Sequence, residues 1–293
     1  MSHLAPRDLG FLLLINLIWG FNLIASKVGV QHFPPVFFTA LRFSLLAACL
    51  VPFLRWHAGR MLPLFVAATL SGGLQFALLF TGVRLTPHVG SIAIATQLGV
   101  PFTTLLSVLF LGEVIHWRRR LGIVLAFAGV AVIAVQADVF TYRAGLALVA
   151  ASAFVGSLGL VAVKRLGETF RPLELQAWFA VAGLPLLWFL TLWLEAGQGA
   201  ALRTASALDW GALLFTVLAS SLVAHTGFYW LISRYPVSAV SPLTTLSPVF
   251  SVVLGVLLLD DALSARLLVG GALTLAGVTI IARRDPSAVD TGT

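Results

Sequence analysis

A single arginine stands inside an apolar run. Arg42 is the only Asp, Glu, Lys or Arg between Lys27 and Arg55, and a basic side chain near a helix centre costs about 2.5–3.5 kcal/mol to insert in a bilayer. Such a residue must face the interior of a bundle. There it either binds a carboxylate or reaches backbone carbonyls and pins helices together. His225, with Ser220, Ser221 and Tyr229 close in sequence, has three readings: a core histidine satisfied by one hydrogen bond, a substrate contact, or a proton carrier. Ser221 and His225 are four apart on one helical face, but HExxH, CxxC and GxSxG are absent, so no catalytic residue is expected. Glycine precedes neither lysine, Lys27 nor Lys164. A phosphate-cradling loop is therefore missing, which excludes ATP-driven work by this chain alone.

Polar residues recur at helical spacing and can each line one lumen. The stripes are Asn16, Trp19 and Asn22; Ser71 and Gln75; Gln97, Pro101 and Thr104; and Ser241, Thr244, Thr245 and Ser247. Their alternative role is hydrogen bonding between helices, often worth only about 0.6 kcal/mol per contact. Trp19 and Tyr229 are suited to stacking on an apolar or aromatic molecule. The expected small-molecule contacts are Trp19, Asn22, Arg42, Gln75, Gln97, Pro101, His225, Tyr229, Thr244 and Pro248. No cofactor or metal site is expected. Cys49 is the only cysteine, which rules out an internal disulfide and a thiolate metal set. Glu113, Glu174, Asp260 and Asp261 fall at expected helix ends, so a midplane carboxylate relay for protons is not evident, and facilitated diffusion stays open.

The elements that position these residues must lie in lipid. Of 293 residues, 59% are hydrophobic and 10% charged, and the mean hydropathy is +1.02, far from soluble composition. Gly and Pro divide the chain into ten apolar stretches, at 8–27, 34–54, 61–84, 86–111, 120–137, 142–164, 172–194, 208–233, 237–259 and 264–283. Each has about the 20 residues a spanning helix needs. Strict alternation is absent, which argues against a transmembrane barrel. The first stretch lacks a small-residue cleavage site and is read as a span, not a signal peptide.

The 18 basic residues outnumber the 11 acidic ones, for a net charge of +7, but they are scattered over loops, which speaks against nucleic acid as a partner. With a cytoplasmic N-terminus, twelve fall inside: Arg7, Arg55, Arg60, Arg118, Arg119, Arg120, Lys164, Arg165, Arg171, Arg234, Arg283 and Arg284. Five fall outside: Lys27, Arg84, Arg143, Arg203 and Arg266. That asymmetry predicts both termini in the cytoplasm.

The chain also repeats itself. Lys27 precedes Pro35, and Lys164 precedes Pro172, by the same eight residues, and 109–133 parallels 257–281 with Glu113 against Asp261, Gly122 against Gly270 and Gly129 against Gly277. The expected halves are 1–138 and 139–293, five spans each. Because five is odd, the second half must be inverted in the membrane, the mark of many secondary transporters. Pro101 and Pro248 interrupt corresponding helices, with Pro242 as a further break. The counterpart of Arg42 is Phe179, so any role of Arg42 is asymmetric. Gly122 with Ala126, and Ala272 with Ala276, form small-xxx-small pairs suited to close helix packing or a homodimer face.

Leu17-Ile-Trp-Gly-Phe-Asn22, the run from Pro101-Phe-Thr-Thr to Phe110-Leu-Gly-Glu113, and its weaker copy from Pro248 to Asp261 resemble the ten-span EamA-type exporters of the drug/metabolite transporter superfamily. Among these the chain is most similar to bacterial aromatic amino-acid exporters. The resemblance implies an all-α inner-membrane protein of two inverted five-helix repeats, exporting small amphipathic metabolites, amino acids included, by alternating access around a midplane cavity. A broad drug or nucleotide-sugar carrier is the alternative within transport; phosphorylated substrates call for several cavity cations, and only Arg42 qualifies. A membrane enzyme or non-transporting scaffold is the alternative outside it.

Overall fold

The computed structural model describes residues 5–135, 140–166, 170–235 and 240–282. In hydrocarbon every backbone N–H and C=O needs a partner within the protein, which leaves helices or closed barrels as spanning structures. Among the described residues there are helices and no strand. α1 is Pro6–His32, and the extended residues Phe33 and Pro34 before Pro35 end it. α2, Pro35–Leu50, starts on that proline, where no N–H is needed. α3 (Met61–Ala68) runs through a π-helical segment, Thr69–Leu74, into α4 (Gln75–Leu85). α5 (Val89–Thr96) and α6 (Gly99–Leu111) are separated by a break at Gln97 and Leu98. α7 (Trp117–Ala134), α8 (Phe140–Arg165), α9 (Pro172–Leu194) and the short α10 (Gln198–Thr204) follow. α11 (Ala207–Phe215) passes through a second π segment, Thr216–Ala224, into α12 (His225–Arg234). A 3₁₀ turn at Ser241–Thr245 leads into α13 (Leu246–Leu259), and α14 (Ala265–Ala282) closes the described chain.

Eight of these helical rods are long and apolar enough to cross a membrane, and Leu243–Leu259 is a shorter apolar helix. α7 has the length but opens with Trp117 and three arginines. All ten expected stretches therefore fall on helix, while length and composition alone single out eight as spans. The expected span residues 136–137, 237–239 and 283, together with Arg283 and Arg284, lie outside the described residues, as do the side chains of Ser241 and Pro242.

Irregularities recur in both halves of the chain. Each half has a π segment, at Thr69–Leu74 and Thr216–Ala224. Each also has a helix capped by a left-handed residue, Gly112 (φ +68°) after α6 and Asp260 (φ +55°) after α13. The next N–H turns back to the carbonyl of Ser107 in one case and Gly255 in the other, which closes the helix end without water. Asp is among the few non-glycine residues that tolerate this conformation. Pro101 and Pro248 are each third in the helix that follows a break, where the missing N–H removes no ladder bond. Thus both prolines begin helices and do not kink them midway.

A close crossing of matched glycines joins α7 to α14. Gly122 lies on the backbone of Gly277, and Gly129 on that of Gly270; a Cβ at any of the four would overlap a carbonyl oxygen of the opposite helix. Thr274 fills the remaining space and donates to Gly270 O at 2.8 Å. Gly122 and Ala126 are therefore used within the chain, whereas Ala272 and Ala276 are exposed. We expect Gly277→Val to lower stability by about 1–3 kcal/mol through overpacking, while Gly10→Val, with nothing within 4 Å, changes it little. Thermal unfolding of the two purified variants checks this, and equal melting temperatures would contradict the crossing.

Candidate functional site

A cavity of about 830 Å³ runs between α2, α4, α6, α8, α9 and the second π segment. Arg42 lies at its inner end on α2. Its guanidinium carbon stands over two neighbouring rings of α4, 5.5 Å from the ring centre of Phe76 and 5.6 Å from that of Phe80, within cation–π range. The Nη2 group donates to Ser221 Oγ at 3.0 Å. Arg42 is 4% exposed, yet Nε and Nη1 have no protein partner among the described residues. A buried donor left unpaired costs about 1–3 kcal/mol, so this side chain favours an incoming acceptor.

The π segment explains why Ser221 is free to receive Arg42. Its hydroxyl donates five residues back to Thr216 O at 2.9 Å, which turns an oxygen lone pair toward the guanidinium. His225 Nδ1 makes the same five-residue reach to Ser220 O at 2.7 Å. Its ring meets Trp19 edge-on, with centroids 5.2 Å apart, and Tyr229 at 6.4 Å. On the opposite wall, Gly156 of α8 lets Gln75 lie flat against that helix, where a Cβ would overlap the amide. Ser157 holds the α5–α6 break in place by donating to Gly99 O at 2.9 Å and accepting from Thr103 at 2.9 Å.

Five of the ten expected contact residues line this one cavity: Arg42, Gln75, Gln97, His225 and Tyr229. Trp19 stands behind His225, and its Nε1, like Asn22 Oδ1, is buried without a partner among the described residues. Pro101 and Pro248 are buried inside helices, and Thr244 is half-buried in the 3₁₀ turn; none of the three lines the cavity. Gln176 is the residue that sequence reasoning missed. Its Nε2 donates to Ser221 O at 2.8 Å and its Oε1 has no partner among the described residues. Four positions after Pro172, it reads in sequence as an ordinary polar residue at a helix start.

Charge separates the two ends of the bundle. At the cavity mouth Lys164 pairs with Glu113 at 2.5 Å, both well exposed, and Arg119 lies nearby. Among the described residues Glu113 is the only acidic one lining the cavity, and Arg42 is the buried charge on its wall. The other end is closed. Lys27, expected in a loop, is buried within α1 and donates to the carbonyls of Val83 (2.9 Å) and Thr86 (2.5 Å). Buried Asp261 accepts from the N–H groups of Val89 (2.7 Å) and Gly90 (3.2 Å), capping α5 from across the bundle. Tyr142 donates to Ser91 beside it at 2.9 Å.

Among the described residues, a helical membrane bundle whose broken helices surround a cavity lined by apolar walls and a few polar side chains has the build of a membrane transport protein. The EamA-like transporter family matches residues 8–135 and 143–283, and the chain belongs to that family. It is 30% identical to a "Probable amino-acid metabolite efflux pump" of Salmonella typhimurium over 94% of each chain. A relative of the same printed name in Escherichia coli is 28% identical over 94% of this chain and 95% of its own. A "Probable terminal-alkyne amino-acid exporter" of Streptantibioticus cattleyicolor is 25% identical over 93% of this chain and 92% of its own. A solved crystal structure matches with a TM-score of 0.62 over 94% of this chain and 96% of that one at 21% identity, a likeness of fold.

The two charged ends differ in burial, and this sets their worth. Asp261→Ala removes a buried cap and should cost about 1–2 kcal/mol, whereas Lys164→Ala removes an exposed pair and should cost no more than about 1 kcal/mol. Unfolding midpoints of the two variants test the order; a larger loss for Lys164→Ala would reverse the assignment.

Proposed function

We propose that the protein exports small amphipathic metabolites, amino acids among them, across the bacterial inner membrane by alternating access of two inverted five-helix halves. The observation that carries this reading is the cavity, which leads from buried Arg42 to the exposed pair of Glu113 and Lys164. Matched irregularities support the inverted repeat. The two π segments, the left-handed caps at Gly112 and Asp260, and the prolines that begin α6 and α13 fall at equivalent positions. In the α7–α14 crossing, each half supplies the same two glycines. An inverted pair of halves meets near the midplane, which is where such transporters bind their substrates.

Orientation follows from the basic residues. Lys164 and Arg119 at the mouth belong to the positive-inside set, so the cavity opens to the cytoplasm, while Lys27 and Asp261 close the outer end. A substrate enters from the cytoplasm and leaves when the two ends exchange states. Amino acids as cargo come from the printed names of the relatives, and one buried cation, Arg42, with Arg119 and Lys164 at the mouth, agrees with a substrate of one carboxylate. Phosphorylated sugars would require more positive charge than Arg42 provides. Both family and relatives point to transport and not to catalysis.

Purified protein in vesicles should exchange labelled phenylalanine without ATP. In a Cys49→Ser background, Thr103→Cys on the cavity wall should react with a charged thiol reagent from the cytoplasmic side, and phenylalanine should slow the reaction. Folded protein that exchanges none of the twenty amino acids would defeat the reading, as would a strict requirement for ATP.

A further inference from the structure

We propose that Arg42 and Gln176 form a head-group subsite, in which Arg42 takes a carboxylate and Gln176 Oε1 accepts a hydrogen bond from an amino or hydroxyl group on the neighbouring carbon. The proposal rests on the export reading above and adds to it which parts of the substrate are recognised, and by what. Ser221 ties the two side chains together. Its Oγ accepts from Arg42 Nη2 at 3.0 Å, and its carbonyl accepts from Gln176 at 2.8 Å.

The serine also fixes which way the glutamine points. Only the amide nitrogen can donate to a carbonyl, so Nε2 must face Ser221 O and Oε1 must point away. That oxygen is buried and has no partner among the described residues. Arg42 Nε and Nη1 are in the same condition. Ser221 thus holds a cationic donor side chain and a side chain with a neutral acceptor, and both residues line the cavity. An α-substituted carboxylate has the matching groups: oxygens for the guanidinium and an N–H or O–H for the amide oxygen.

Charge makes the two halves of the subsite unequal. Arg42 is the fixed charge of the interior, and the one acidic residue lining the cavity, Glu113, is paired with Lys164 at the mouth. A carboxylate therefore finds a counter-ion, whereas an ammonium finds only a neutral acceptor. Recognition at Arg42 requires the negative charge. Recognition at Gln176 requires only a donor, so a 2-hydroxy acid serves in place of an amino acid. An amine without a carboxylate meets a like charge in a low dielectric and is rejected.

Four compounds of one shape separate these roles: phenylalanine, 2-hydroxy-3-phenylpropanoate, 3-phenylpropanoate and phenethylamine. Counterflow is measured in vesicles carrying the wild type, Arg42→Lys or Gln176→Met, normalised to monodisperse protein and to protein-free vesicles. In the wild type the amino and hydroxy acids should exchange at rates within about threefold of each other. Phenylpropanoate should be about tenfold slower for want of one hydrogen bond, and phenethylamine should stay at background. Gln176→Met should slow phenylalanine and the hydroxy acid to the rate of phenylpropanoate and leave phenylpropanoate unchanged. Arg42→Lys should slow all three carboxylates, because it keeps the charge but loses the planar fork.

Equal proportional losses for phenylalanine and phenylpropanoate in Gln176→Met would overturn the proposal, since they describe a residue that only holds helices together. Wild-type exchange of phenethylamine at the rate of phenylalanine would overturn it as well. These results leave the export reading intact. Folded wild-type protein that moves none of the four overturns this proposal, and the export reading falls with it only if none of the twenty amino acids is exchanged. Should Arg42→Lys not fold, the wild-type series and Gln176→Met still decide the matter.

Discussion

Hydrocarbon offers no hydrogen bonds, and every departure from an unbroken α-helix must be satisfied by another part of the chain. The break between α5 and α6 is covered by Ser157, which donates to Gly99 O. The exposed N–H groups at the start of α5 are met by Asp261 from a distant loop. Those at the start of α2 are met by Glu195, whose two carboxylate oxygens accept from Val36 and Phe37, each at 2.8 Å. Asp261 and Glu195 therefore serve as remote caps. Their negative charge also suits the positive ends of the helices they cap.

The same constraint explains where function can sit. Irregular backbone is tolerated only where protein or a water-filled cavity surrounds it, so the broken and π-helical segments converge on the space between the halves. The second π segment rotates Ser221 toward Arg42, and the five-residue reach of Ser221 and His225 to carbonyls behind them keeps those side chains ordered. Phe76 and Phe80, one turn apart on α4, set their ring faces toward the guanidinium from one side, while Ser221 accepts from it. A costly residue is held by its neighbours in one orientation.

Much of this architecture is legible from the chain because its signals are strong. Lipid-length apolar runs separated by Gly and Pro mark the helices, and the equal spacing of Gly122, Gly129, Gly270 and Gly277 reflects a crossing that no larger side chain fits. Arg42 stands out because a lone charge in an apolar run has few explanations. The cavity is harder to read. Ser, Thr, Gln and Asn occur on both lumen-facing and helix-facing sides, so Gln75 and Gln97 line the space while Asn22 and Thr244 do not. Lys27 resembles a loop charge because it lies near the expected end of a span, but α1 continues to His32 and buries it. Gln176 gives no sequence signal, since its position depends on a π segment that composition does not reveal.

The glycine crossing also bears on how the protein is made. α7 opens with three arginines, is not among the helices apolar enough to span a membrane by length and composition alone, and has a small-residue face matched by α14. Gly122 and its partner Gly277 are 155 residues apart (277 minus 122), so at typical synthesis rates of about 5–20 residues per second the ribosome delivers the partner roughly 8–31 seconds later. During that interval α7 sits at the insertion machinery with its packing face uncovered, dependent on provisional neighbours. Assembly of this bundle is thus ordered by the ribosome, and its last helix completes a contact that its fifth apolar stretch has awaited since midway through translation.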